Sequence, residues 1–210
     1  MGLTRGVRWF NAQADVTGTW PATGPFLAVT FHWGAGLGAL AHLANAGHGA
    51  RFLSGRFADA DFGNDAWRVR YVKLRGRAVE SATGAPVIYT GGASAHIDDA
   101  FARGTTVIAL CDVPPAAGRS AIAASLNGLR LRMPLGLARL ACARGMPVVC
   151  FVAGVDRATG RRRLAIDEAR VFSDPASLAA VLAARLGSAL ERDAAAWHMW
   201  PYASELLSRG

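Results

Sequence analysis

Residues 26–31 are apolar but for one threonine and are bounded by Gly24-Pro25, a pattern that predicts a strand buried on both faces. His32, Trp33 and three spaced glycines (Gly34, Gly36, Gly38) follow. An Ala/Leu-rich run that stops at Gly47 then predicts a helix. Further short apolar runs at residues 50–54, 86–90, 105–110 and 147–153 predict strands, the first of them parallel to the opening one. An alternating pattern over 162–171 predicts another. Between them, helices are expected over about 65–83, 93–103 and 134–144, with Gly104 and Gly145 as stops. A last helix runs from a Ser173-Asp174-Pro175 cap to Glu191. Asn127-Gly128, between apolar stretches at 120–126 and 129–133, is a strong hairpin signal. Residues 16–21 read as a turn, and 56–64 as a loop rich in Gly and Asp.

Strands alternating with helices imply an α/β fold: a mixed, mostly parallel sheet flanked by helices on both faces. With 210 residues, no repeat and no polar linker, residues 1–210 are expected to form a single domain. No apolar run approaches the ~18 residues of a membrane span, and residues 1–11 lack a signal-peptide core. A cytoplasmic protein is expected, at most peripheral at the inner membrane. The three cysteines (Cys111, Cys142, Cys150) are odd in number and form no Cys-x-x-Cys pair. They are expected to be reduced core residues, with no metal site. Net charge is +8, almost all from arginine, since Lys73 is the only lysine. A GC-rich genome would give that composition; so would an acidic partner such as anionic lipid or an acidic carrier protein. Without zinc-finger, basic-zipper or RNA-binding signatures, nucleic acid is not expected.

The candidate chemistry gathers at the end of the first strand. His32 stands where open α/β sheets place ligands, before a helix turn whose free N–H groups favour negative charge. An imidazole there is suited to take a proton from a hydroxyl; its plain structural alternative is a packed, hydrogen-bonded histidine. A base needs an orienting partner. No carboxylate follows on the adjoining helix before Asp59, so Asp112, at the end of the 105–110 strand, is the choice; otherwise it is a turn residue before Pro114-Pro115. Two other chemistries fit parts of the chain. Gly34-x-Gly36-x-x-Ala39 matches a dinucleotide fingerprint, with Arg56 placed for a 2′-phosphate, which would make an NADP-dependent reductase. Ser94, with Asp112 and His198, has the chain order of a serine hydrolase, although Ser94 reads better as a helix cap. The Trp197-His198-Met199-Trp200 tail reads as packing for a terminal helix rather than a membrane edge.

The segments Gly104 to Asp112, Leu126-Asn127-Gly128, Pro134 to Ala141 and Gly145 to Phe151 occur in an order that resembles the bacterial lipid A late acyltransferase family, within the lysophospholipid acyltransferase-like superfamily. The likeness spans roughly residues 24–202. That family carries His, four residues, then Asp or Glu after a buried strand. His32 matches the histidine; Leu37 stands where the acid is, and the family's N-terminal membrane helix has no counterpart. The resemblance implies acyl transfer from an acyl carrier protein or acyl-CoA thioester to a hydroxyl or amine, without a cofactor. His32 and Asp112 would be catalytic, and Trp33, Gly34, Gly36, Arg56 and Arg75 would contact substrate. It leaves open a catalytically inactive acyl-binding or partner subunit of the same fold.

Overall fold

A computed structural model describes residues 14–34, 36–56, 63, 65–115 and 120–209. The expectations for residues 1–11, and most of the loop expected at 56–64, lie outside them. Ten strands and six α-helices are described. In chain order they are β1 (Ala14–Thr17), β2 (Leu27–Thr30), α1 (Leu37–Asn45), β3 (Ala50–Ser54), α2 (Ala66–Thr83), β4 (Ile88–Tyr89), α3 (Ala93–Ala102) and β5 (Thr106–Leu110). The rest are β6 (Ala121–Leu126), β7 (Leu129–Pro134), α4 (Leu135–Ala143), β8 (Val148–Val155), β9 (Arg162–Ile166), α5 (Pro175–Asp193), α6 (Ala203–Leu206) and β10 (Leu207–Arg209).

Seven strands form one sheet in the order β1-β9-β8-β2-β5-β3-β4. All neighbours run parallel except β8 and β9. β2 shows why the sheet is central. Its alternate residues go to opposite faces, and both faces are apolar. Leu27 and Val29, with Phe31 beyond the strand, join the core shared with α3, α4 and α5; Phe26 and Ala28 join a second core under α1 and α2. Each of the Leu, Val and Phe side chains contributes about 1.5–3 kcal/mol on full burial. The fold is therefore α/β, a mostly parallel sheet with helices packed on it.

The hairpin departs from the expectation of one mixed sheet. β6 and β7 turn through Asn127 (φ 47°) and Gly128 (φ 81°), both left-handed as the tight hairpin turn requires. They form a separate three-stranded antiparallel sheet with β10. α5 lies against β6, and a Cβ at Gly187 would sit 2.9 Å from the Asn127 side-chain oxygen, so a larger residue there would make that side chain shift. β10 and α6 carry too few residues to show a period. β1, whose residues 16 and 17 were expected in a turn, is an edge strand parallel to β9. β9 stops at Ile166, short of the expected 171, where the Asp167 N–H turns to the Cys150 carbonyl. The Asp174 cap of α5 is present: its carboxylate accepts from the Ser177 N–H at 2.9 Å, with Pro175 opening the helix.

Two structural predictions arise here. Gly18 and Gly24 have nearly equal left-handed φ (76° and 77°), but only at Gly18 would a Cβ collide with backbone, at Ile166. Gly24→Ala should cost about 1–2 kcal/mol of left-handed strain alone; Gly18→Ala should cost clearly more, read as the difference in urea midpoints. The second concerns His42. Its Nδ1 accepts from the Trp20 indole N–H at 3.0 Å, and partial burial holds its pKa below the ordinary value. The unfolded chain therefore binds the proton more readily. The stability this site contributes is present above about pH 6.5 and is lost as pH falls through that value toward the folded pKa. Thermal melts from pH 7.5 to 5 should show a smaller fall for His42→Gln than for the wild-type chain.

Candidate active site

Thr30 at the end of β2 pairs with Leu110 at the end of β5. The two parallel strands thus leave the sheet level with each other. His32 and Asp112, each two residues further on, arrive side by side at the carboxyl edge. Asp112 is fully buried. Its carboxylate meets the His32 Nδ1 at 3.0 Å and accepts from the His32 backbone N–H at 2.9 and 3.0 Å. The Trp197 indole N–H donates to its other side at 2.8 Å. The backbone and indole partners are both donors. With an ionised Asp112 and a neutral imidazole, the ring hydrogen is at Nδ1 and Nε2 carries the lone pair. The His32 side chain is 27% exposed.

The third member of this group comes from the far end of the chain. After α5, a short 3-10 turn (Ala194–Ala196) carries the backbone across residues 32–34. The Gly34 N–H donates to the Ala196 carbonyl at 3.0 Å, and the His198 N–H donates to the His32 carbonyl at 2.8 Å. Trp33 and Trp197 form the antiparallel bridge between these bonds. This strap places the Trp197 ring, 1% exposed, over Asp112. Gly34 has φ 48°, and a Cβ there would come within 2.7 Å of the Ala153 carbonyl. Glycine is needed for the chain to pass β8 this closely. Packing of Trp197 was expected from its apolar neighbours; its bond to Asp112 was not, because nothing near Trp197 in the chain announces a carboxylate from 85 residues earlier.

The other expected contacts divide. Trp33 is buried in the core, only 6% exposed, because β2's outward path is covered by the strap; it still borders a groove of about 470 Å³ with Gly154 and Asp156. Gly34 cannot offer its N–H to a ligand, since Ala196 takes it. Gly36 opens α1, which has no side-chain cap, and in the first turn the Ala39 N–H donates to the Gly36 carbonyl at 3.0 Å. Arg56 is exposed, its guanidinium 5.1 Å from the centre of the Tyr89 ring at the same sheet edge. Arg75, on α2, donates to the Tyr71 hydroxyl at 3.4 Å. It also lies near enough to His198 to affect it. Partial burial, then the charges of Arg75 and His32, hold the His198 pKa below its ordinary value.

No family model matches this chain, and no curated protein does.

The rival constellations find less support in the geometry. Ser94 lies in the first turn of α3, exposed, bonded by Arg144 at 3.2 Å; the cap position belongs to Gly92 (φ 91°), and Asp112 is engaged by His32 rather than His198. The strand after the Gly34-x-Gly36 segment is β3, yet β5 lies between β2 and β3. A dinucleotide βαβ unit would have the two adjacent. Cys111 and Cys150 are buried, and burial pushes both thiols well up, so neither supplies a thiolate nucleophile. Among the described residues no group of three His, Cys, Asp or Glu could hold a metal, and no helix is long and apolar enough to cross a membrane.

Proposed function

We propose that the chain is an acyltransferase of lysophospholipid acyltransferase-like fold. It would move an acyl group from a carrier-protein or CoA thioester to a hydroxyl or amine, as one domain at the cytoplasmic side of the inner membrane. The observation that carries this reading is the buried Asp112 held against His32 Nδ1 at 3.0 Å.

The step follows from the proton inventory. His32 Nε2 takes the acceptor's proton as its oxygen or nitrogen attacks the thioester carbonyl carbon. Asp112 stabilises the imidazolium that forms. The tetrahedral oxyanion needs donors; with the Gly34 and Ala39 N–H groups used, the N–H groups of Leu37 and Gly38 at the start of α1 would be the backbone source. When the C–S bond breaks, the imidazolium returns the proton to the departing sulfur, which leaves as a thiol. The resemblance to the lipid A late acyltransferases supports the class, with one difference. Leu37, in the position of that family's acid, packs against the core under α1. Asp112, from a neighbouring strand end, would take over the orienting role.

The test is thiol release from acyl-CoA and acyl-carrier thioesters by purified protein. Release that disappears in His32→Ala supports the enzyme. Acyl binding without release, equal in both proteins, would favour the non-catalytic partner subunit, and a thermal shift with NADPH alone would favour a reductase.

A further inference from the structure

α2 buries one face and exposes another of unusual make-up. Val79 and Thr83 are buried, and the helix packs on α1 and β3. On the outer face Trp67, Tyr71 and Leu74 follow the i, i+4, i+7 spacing that makes one stripe. They are 74%, 51% and 51% exposed. At 100° per residue, Arg68 and Arg75 fall on one flank of that stripe and Arg70 and Arg77 on the other. No acidic residue lies between Asp65 and Glu80, and Asp65, the helix cap, pairs with Arg68 at 3.2 Å. On the Arg70 flank, Lys73 and Arg77 line an open groove of about 660 Å³ with Leu74.

We propose that α2 seats the protein on an anionic lipid bilayer. The Trp67–Tyr71–Leu74 ridge enters the boundary between headgroups and acyl chains, and the cations beside it meet lipid phosphates. A bilayer suits this surface better than a folded partner. The ridge is convex, and its most exposed group is an indole, which favours a fluid polar–apolar boundary; a protein would need a groove cut to match it. Cations on both flanks complement a surface that is negative all round the ridge. The inference stands apart from the acyl-transfer reading, because binding is measured without turnover.

The experiment is co-sedimentation of the full chain with phosphatidylcholine vesicles, with and without phosphatidylglycerol. Binding is expected only with the anionic lipid and should fall as salt is raised. Neutralising Arg70, Lys73 and Arg77 together to glutamine should weaken it about a hundredfold, at roughly fivefold per cation. Trp67→Ala should weaken it roughly tenfold through lost apolar insertion. All these side chains are exposed, so circular dichroism should be unchanged. Three results would overturn the proposal. One is no binding to anionic vesicles at low salt; another is equal binding to neutral vesicles. The third is binding indifferent to both variants, which would assign it to another basic surface. Trp67-dependent capture of an acidic carrier protein, without vesicle binding, would equally overturn it in favour of a protein-docking face.

Discussion

Asp112→Asn is expected to lower thioester turnover by ~100- to 10,000-fold, the range for loss of a working acid–base partner. The amide has one acceptor oxygen where the carboxylate serves three donors: the His32 N–H, the His32 ring and the Trp197 indole. The imidazole then loses both the group that sets its tautomer and the charge that stabilises its protonated form. A buried donor left unsatisfied costs about 1–3 kcal/mol, so the variant should fold with a lowered melting temperature. His32→Ala should lose at least as much turnover at smaller cost in stability, because its side chain is partly exposed. The two act as a unit, so the double variant should be little slower than His32→Ala alone. Steady-state thiol release alongside urea denaturation separates the two effects. If Asp112→Asn turns over at the wild-type rate while remaining folded, the pair is structural and the acyl-transfer mechanism is wrong.

Trp197→Ala should be the most destabilising single change near the site. The ring is 1% exposed and packs edge-on to Trp200 at 4.9 Å between centres. Removal of a buried aromatic typically costs about 3–5 kcal/mol. The change also strips a donor from Asp112 and loosens the strap that crosses residues 32–34. Trp197→Phe divides these contributions: it retains most of the packing and loses only the N–H. Its melting temperature should fall less than that of Trp197→Ala. Its turnover should also fall if Trp197 positions Asp112, with the loss in kcat rather than KM. A Phe variant with unchanged kcat and a lowered melting temperature would leave Trp197 a packing residue only.

Local signals carried much of this structure in the sequence. The apolar run before His32 is a strand because both its faces are buried, and that shows as an uninterrupted run. Asn127-Gly128 turns a hairpin because those two residues tolerate positive φ. Asp174-Pro175 starts α5 because a carboxylate there satisfies a first-turn N–H. His32 was legible as a candidate for the same reason: it ends a buried strand. Asp112 was reachable only by inference from strand ends, since no spacing along the chain links it to His32.

The tertiary structure decided what no local pattern encodes. β5 inserts between β2 and β3, and that pairing brings Asp112 level with His32. β10 adds to the hairpin and makes a second sheet from a strand of three residues, too short to declare a period. The strap consumes the Gly34 N–H that was expected to meet a ligand, and it delivers Trp197 to Asp112. Each depends on hydrogen bonds between residues far apart in the chain. Local composition determines which residues can enter a strand, a turn or a cap; only the packing of the whole chain determines which distant groups satisfy one another.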